Sequence, residues 1–219
     1  MTDAPRILGG LASSPEVRSG GGSGWRSRLP PGTRNLLLTL EYDGSTFAGW
    51  QFQPGQRTVQ GVVGDALAML CRHDVVLRGA GRTDSGVHAW AQRATFLTDC
   101  TLPPAKFVRG VTGIARGHVA VTAAQEMPLD FHARHDSRGK VYAYRLLLRP
   151  TRSPLRDGRA WHLRQPLDLD RLEAELATLP GRADWSAYRS GDCGATDPVK
   201  TLHSAHLVRE ERDVVALVF

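Results

Sequence analysis

Residues 79–88 of this 219-residue chain are Gly-Ala-Gly-Arg-Thr-Asp-Ser-Gly-Val-His, and the fold is best worked out from this stretch. Apolar residues flank it, so that 74–77 and 91–97 each predict a strand. Glycine tolerates positive φ and close backbone approach, so such a loop can turn sharply and present Asp84 outward. Arg82 is placed to pair with this carboxylate and keep it ionised. The same pattern also fits an ordinary turn capped by the Asp side chain.

The periodicity around this loop predicts a β-α-β-β-α-β order. A strand is expected over 35–42, and a helix follows with Thr58 as its N-cap. A second helix is expected from the prolines at 103–104 to about Ala115, and a last strand over 119–122. This is the split order of ferredoxin-like folds.

The pattern then begins again. A strand is expected over 140–148, a helix from Asp168 to Pro180, and a hairpin formed by 201–208 and 214–219. The predicted fold class is therefore α+β, with two tandem ferredoxin-like (RRM-like) β-α-β-β-α-β units that share a mainly antiparallel sheet. The second unit is incomplete, and its last apolar strand is expected to leave an exposed edge.

Three regions are expected along the chain. Residues 1–33 are rich in Gly, Ser, Pro and Arg, and they bury too little apolar surface to offset the entropy of ordering. They predict a disordered tail. Residues 34–134 are an N-terminal α+β domain that carries the Asp84 loop, and 135–219 are a C-terminal α+β domain.

Composition narrows the function classes. The net charge of +6 favours a polyanionic partner such as nucleic acid, although a solvated basic surface on a small-molecule enzyme fits equally well. No apolar run approaches the roughly 20 residues that span a bilayer, so we expect no membrane association. Cys71, Cys100 and Cys193 are too few and too widely spaced for a disulfide framework or a zinc ribbon. A reducing cytoplasm is the expected location.

The segment Gly-Arg-Thr-Asp-x-Gly-Val-His resembles the signature of the TruA-type tRNA pseudouridine synthases. Other segments resemble that family in the same order along the chain: 40–45, 49–53, 58–61, 130–134, 139–145 and 184–189. The resemblance runs from about Asn35 to Phe219. Because the family continues with a helix that carries Met-Val-Arg, the resemblance implies that this chain is truncated at its C-terminus.

The resemblance implies an isomerase that converts uridine to pseudouridine in the anticodon stem-loop of tRNA, at tRNA positions 38 to 40. It implies a homodimer that holds one tRNA across two subunits. Asp84 is the implied nucleophile, and attack on uracil C6 and attack on or deprotonation of the ribose both stay open. Arg82 and Tyr142 are the implied substrate-binding residues; the alternatives are a brace for the loop and a core tyrosine, respectively.

Four further side chains are candidates for contacts with RNA: Trp50, His88, Arg134 and Lys140. The two basic residues are natural phosphate contacts. Loop packing is the alternative for the tryptophan, and structural hydrogen bonding is the alternative for the histidine. No ligand set accompanies His132 and His135, so no metal is expected. No glycine-rich loop has the spacing of a nucleotide site, so no cofactor is expected.

Two other functions compete with the enzyme. The first is a non-catalytic tRNA- or RNA-binding remnant of the same family. The second is a glycoside hydrolase, which needs a second carboxylate such as Asp43 or Asp99 near Asp84. The abundance of basic residues argues against the second.

Overall fold

The computed structural model describes residues 29–188 and 197–219. Most of the predicted tail, residues 1–28, therefore lies outside the described residues. The chain combines α-helices with mainly antiparallel sheets, in agreement with the predicted α+β class. It divides into two compact units, one ending at Ser137 and the other beginning at Arg138, and each is described by itself.

The first unit has the element order β-α-β-β-α-β. Its elements are β1 (Arg34–Tyr42), α1 (Val59–Cys71), β2 (Arg78–Gly79), β3 (Ala89–Thr98), α2 (Pro104–Ala115) and β4 (Val119–Met127). The four strands form one sheet in the order β2-β3-β1-β4, and every neighbouring pair is antiparallel. The strand that precedes the Asp84 loop therefore lies at one edge of the sheet, and the strand that follows it lies inside.

Strand β1 is central because leucines line both of its faces. Leu36, Leu38 and Leu40 are fully buried in the core that also contains apolar side chains of α1 and α2. Leu37 points the other way and packs with Ala80, which belongs to the segment leading into the Asp84 loop. Period-two alternation with both faces apolar is what a central strand requires.

Both helices of this unit begin where the sequence predicts. Thr58 caps α1, and its hydroxyl accepts a hydrogen bond from the Gly61 N–H at 3.2 Å. Helix α2 begins immediately after Pro103, and Gly117 follows its end with a φ of 79°. Proline at the first turn and glycine just beyond the last turn are the expected helix boundaries.

Two strand predictions in this unit need correction. Residues 74–77 form no strand, and β2 is limited to 78–79. At the end of β3 that contains Thr98, the His73 ring lies 2.8 Å from the Thr98 hydroxyl. A side-chain contact is found there in place of the longer backbone pairing that a strand over 74–77 implies. Strand β4 is longer than predicted because it pairs along β1 as far as Asn35 and Met127.

The second unit contains six strands and one α-helix among its described residues. They are β5 (Ala143–Leu148), β6 (Trp161–Leu163), α3 (Leu169–Leu176), β7 (Gly181–Asp184), β8 (Val199–Leu202), β9 (His206–Glu211) and β10 (Val214–Val218). One sheet has the order β6-β5-β10-β9, and β7 pairs with β8 in a second. As predicted, Asp168 caps the helix, with its carboxylate accepting from the Arg171 N–H at 3.0 Å. The predicted strand 201–208 is replaced by β8 and β9.

The exposed apolar edge predicted for 214–219 is wrong. Strand β10 lies inside its sheet, paired with β5 on one side and with β9 on the other. Val214, Val215 and Ala216 are all buried. The hairpin partner β9 covers one edge of β10 and β5 covers the other, so neither edge of β10 is available for pairing with another chain.

Replacing Thr58 with Ala removes the hydroxyl that caps α1. We expect the free energy of unfolding of the first unit to fall by about 1 kcal/mol, the usual cost of losing an N-cap. Urea unfolding followed by circular dichroism measures the change. Thr58→Ser keeps the hydroxyl and is the matched control, expected to stay near the parent chain. Equal losses in the two variants would assign the effect to packing of the methyl group.

Candidate active site

The Asp84 loop joins β2 to β3 and is held by backbone hydrogen bonds on both sides of the carboxylate. The Thr83 carbonyl accepts from the Trp50 N–H at 2.9 Å. The Asp84 carbonyl accepts from the Val87 N–H at 3.2 Å, which closes a tight turn. The Asp84 side chain itself is exposed. A fixed backbone thus carries a carboxylate that solvent reaches.

The segment 49–50 connects this loop to the first helix. Its two carbonyls accept hydrogen bonds from the first N–H groups of α1, those of Val59 at 3.2 Å and Gln60 at 3.0 Å. These donors have no partner within the helix, so the segment satisfies them. Because Trp50 also donates to the Thr83 carbonyl, the helix N-terminus and the Asp84 loop share one support.

Two glycines let the segment 44–50 lie directly against the Asp84 loop. A Cβ at Gly44 would lie 2.0 Å from the Val87 carbonyl oxygen. Gly49 has a φ of 103°, and a Cβ there would lie 2.8 Å from the Thr83 carbonyl oxygen. Contact is therefore between backbone and backbone, with no side chain between the two segments.

Tyr42 anchors the same loop from the end of β1. Its phenol oxygen lies 2.9 Å from the Thr83 hydroxyl, and the ring is buried. Burial raises the pKa of Tyr42, so the phenol is neutral and can donate this hydrogen bond. Sequence reasoning missed this anchor, although a tyrosine at the end of the predicted first strand was the available signal.

His88 ties the far side of the loop to the turn after β1. The Gly44 N–H donates to His88 Nδ1 at 3.2 Å, and Asp43 Oδ1 lies 3.2 Å from the same nitrogen. Asp43 also accepts from the Ser45 N–H and hydroxyl, at 3.0 and 2.7 Å. These contacts support the structural reading of His88 and leave its predicted contact with RNA untested.

Arg82 lies on the same loop as Asp84, and both side chains are exposed. Among the described residues, no ion pair within 4.0 Å joins the two. The expected pairing across the turn is therefore absent from this structure. The backbone contacts of Thr83, which lies between them, hold the loop instead.

Trp50 is buried, which supports loop packing, the alternative given for it, over its predicted contact with RNA. Its ring is 2% exposed and lies 6.3 Å from the Tyr42 ring. A Cβ at Gly79 would lie 2.6 Å from the indole, so the glycine leaves room for the ring to pack flat. The apolar surface of the indole therefore packs inside the unit, beside the Asp84 loop.

Trp90 is the aromatic side chain that sequence reasoning missed. It is 73% exposed and lies at the start of β3, six residues after Asp84. Leu40 pairs with Gln92 and Tyr42 with Ala89, so two residues of β3 face one residue of β1 in a bulge that contains Trp90. Within the described part of the first unit, no other Phe, Trp or Tyr is exposed. The sequence signal that could have identified Trp90 is its position two residues after His88, the last residue of the Asp84 motif.

Tyr142 belongs to the second unit, where its backbone extends the pairing of β5 with β10. Its N–H donates to the Phe219 carbonyl at 3.0 Å, and the Phe219 N–H donates back at 2.9 Å. The side chain is 50% exposed. Partial burial, and then the neighbouring Tyr144, raise the pKa of Tyr142, so its phenol is neutral near pH 7.

The structure divides the predicted site residues between the two units. Asp84, Arg82, His88 and Arg134 lie in the first, whereas Tyr142 and Lys140 lie in the second. The side chains of Arg134 and Lys140 are exposed. The loop contacts therefore bring together only the predicted residues near Asp84.

Comparison with known proteins assigns the family. A family model described as tRNA pseudouridine synthase matches residues 39–136, which include the whole Asp84 loop. The tRNA pseudouridine synthase A of Citrifermentans bemidjiense is 42% identical over 177 residues, covering 81% of this chain and 71% of the relative. The chain belongs to the tRNA pseudouridine synthase A family. This is a family of isomerases that act on tRNA.

Two other relatives in this family give the same result. The tRNA pseudouridine synthase A of Pelobacter propionicus is 40% identical over 182 residues, covering 83% of this chain and 75% of the relative. That of Myxococcus xanthus is 42% identical over 183 residues, covering 84% and 69%. The match therefore extends through both units.

Neither a metal cluster nor a membrane segment is found in the described ranges 29–188 and 197–219. The rings of His132 and His135 lie 4.5 Å apart, but no group of three or more His, Cys, Asp or Glu side chains there is arranged to hold a metal ion. Burial, and then His135 and Arg78, lower the pKa of His132. The helices of these ranges are too short or too polar to cross a bilayer.

Replacing Gly44 with Ala tests the backbone contact between the two segments. The added Cβ meets a carbonyl oxygen that cannot rotate away, so we expect a loss of about 1–3 kcal/mol in the free energy of unfolding. Faster hydrogen exchange at residues 83–88 should accompany it. Gly64→Ala in the middle of α1, where a Cβ meets nothing within 4 Å, is the control and should be neutral or slightly stabilising. Equal behaviour of both variants would contradict the close approach.

Proposed function

We propose that this chain converts uridine to pseudouridine in the anticodon stem-loop of tRNA, at positions 38 to 40, with Asp84 as the nucleophile. The observation that carries the proposal is the exposed Asp84 carboxylate on a loop whose backbone is fixed on both sides. Membership of the tRNA pseudouridine synthase A family supports the reaction. The net charge of +6 supports a polyanionic substrate.

The proposed reaction requires a carboxylate that is accessible to the substrate and held at a defined position. The bond between ribose C1′ and uracil N1 breaks, and a bond between C1′ and uracil C5 forms, with no net oxidation or reduction. Asp84 either adds to uracil C6 or acts on the ribose to release the base for rotation. Both routes need the carboxylate held while the base turns, and a fixed loop contributes this positioning.

The other predicted residues take binding roles in this proposal. Arg82 contacts a phosphate or the base, for which its exposed guanidinium is suited. Tyr142 offers a ring for stacking and a neutral phenol that can donate or accept a hydrogen bond. Arg134 and Lys140, both exposed, contact phosphates. His88 positions the loop.

The target uridine must leave the base stack before the carboxylate reaches it, at a cost of a few kcal/mol. Stacking on aromatic side chains offsets this cost by about 1–3 kcal/mol per base. Trp50 is buried and contributes nothing directly, whereas Trp90 is exposed on the strand that leaves the Asp84 loop. We assign the stacking role in the first unit to Trp90.

The resemblance to the family also underlies three wider inferences. They are a homodimer across which one tRNA lies, a location in the cytoplasm, and a tandem ferredoxin-like arrangement of the two units. The element and strand order of the first unit supports the last of these. Light scattering of the purified chain at several concentrations measures the oligomeric state.

Asp84→Asn separates the enzyme from an RNA-binding remnant. We expect pseudouridine formation on an unmodified tRNA bearing uridine at position 39 to fall by about three orders of magnitude or more. Binding of that tRNA should persist, because the turn uses the Asp84 carbonyl rather than its side chain. Asp74→Asn, at an exposed carboxylate outside the loop, is the matched control. A folded parent chain that binds tRNA without forming product would favour the remnant instead.

Trp90→Ala tests the stacking role. Loss of about 1–3 kcal/mol of base stacking corresponds to a rise of roughly 5- to 150-fold in KM for tRNA, with a smaller change in kcat. Steady-state kinetics with the same tRNA separates the two constants. Trp90→Phe retains an aromatic face and should recover most of the affinity. Unchanged kinetics in Trp90→Ala would assign the exposed ring to another purpose.

A further inference from the structure

Two cysteines meet at the end of β3 that lies opposite the Asp84 loop. Cys71 is the last residue of α1, and Cys100 follows β3 by two residues. The strand between the loop and this site has 10 residues. Its length of about 30 Å, at 3.4 Å per residue, separates the cysteines from Asp84. The pair therefore takes no part in the chemistry proposed for the loop.

Fixed groups hold the two thiols together. Cys71 is buried in the core of this unit, and Cys100 packs against that core beside Leu70, the residue that precedes Cys71. Cys100 Sγ lies 4.0 Å from the Leu70 carbonyl oxygen, and the Cys100 N–H donates to the Thr98 hydroxyl at 3.0 Å. The Thr98 hydroxyl also contacts His73 Nε2 at 2.8 Å. Thr98 thus fixes the backbone of Cys100 and the ring of His73, two residues after Cys71.

The two thiols differ in access to solvent. Cys71 is 8% exposed, whereas Cys100 is only partly buried. A small reagent in solution therefore reaches Cys100 first. Burial raises the pKa of the Cys71 thiol to about 11, so it is protonated at rest and does not react on its own. This difference in exposure fits a site in which an oxidant reacts with one cysteine and the other cysteine then forms a disulfide with it.

We propose that Cys71 and Cys100 form a reversible disulfide when the chain meets a peroxide. The Cys100 thiolate attacks one peroxide oxygen, the O–O bond breaks, and Cys100 becomes a sulfenic acid while water or an alcohol leaves. The Cys71 sulfur then attacks the Cys100 sulfur, the S–O bond breaks, and a second water carries away the oxygen and the Cys71 proton. Both thiols are oxidised and the peroxide is reduced.

A metal ion is a weaker interpretation of this cluster. His73 Nε2 lies 3.1 Å from Asp99 Oδ1, so a histidine and a carboxylate are near the thiols. Among the described residues, however, no three such groups are arranged to hold an ion. The position of Cys100 Sγ, 4.0 Å from the carbonyl oxygen of the residue before Cys71, favours a covalent bond between the two sulfurs instead.

The bond would close residues 71–100, including the whole Asp84 loop, into one ring. Such a ring restricts the unfolded chain and so stabilises the folded one. Reduction by a small thiol reopens it. The Asp84 loop keeps its own backbone contacts in either state, so the modification acts on the stability of this segment.

Hydrogen peroxide applied to the full chain tests the proposal. Cys193, which lies outside the described residues, is first replaced (Cys193→Ala) to remove the third thiol. Peptide mapping without reduction should find the peptides of Cys71 and Cys100 joined, lighter by two hydrogen atoms, and separated again by dithiothreitol. The melting temperature of the oxidised chain should rise by about 5–10 °C.

Cys71→Ala and Cys100→Ala in the same background are the controls. Neither should show the joined peptides or the rise in melting temperature, and Cys71→Ala should accumulate oxygen on Cys100. Oxidation of Cys100 to sulfinic acid with Cys71 still free in the parent background would overturn the proposal. So would a dimer joined through Cys100. Because these readouts do not involve tRNA, they stand apart from the proposed isomerase activity.

Discussion

Direct contact between two stretches of backbone is the constraint on which the rest of the first unit depends. Gly44 and Gly49 lie against the carbonyls of Val87 and Thr83, at positions where any side chain would force the segments apart. The contact fixes the Asp84 loop without using its side chain. Because Gly49 also accepts from the first N–H of α1, the same segment positions the helix. A mobile loop would lose the positioning that catalysis by a carboxylate requires.

Strand β1 transmits the stability of the core to this contact. Its middle is buried on both faces, and its end carries Tyr42, which holds Thr83, and Asp43, which holds the turn against His88. Side-chain contacts of Tyr42 and Asp43 therefore connect the loop directly to the end of β1, the central strand of the unit. A loop is usually among the least stable parts of a fold, and here its supports are drawn from the most stable part.

Features of this chain that depend on neighbouring residues can be predicted from the sequence. Features that depend on pairing between distant strands cannot. The Thr58 cap and the proline start of α2 depend on neighbouring residues, so the sequence shows them. The interior position of β10 depends on a partner, β5, that is distant in sequence, so its apolar run alone predicts an open edge. The exposure of Trp90 depends on a bulge between β1 and β3, which no periodicity shows. The motif around Asp84 is local, so the sequence shows the loop that carries it, and the role of Asp84 stays a prediction.

The reactivity of Asp84 under the proposed function also depends on more than its local motif. The expected Arg82 partner is absent among the described residues, and the carboxylate is open to water. Hydration weakens a carboxylate as a nucleophile, so the loop alone supplies position but little activation. Bound RNA would exclude that water and bring a base against the exposed indole of Trp90. Activation would then belong to the complex, which explains why an open, solvated carboxylate is compatible with a catalytic role.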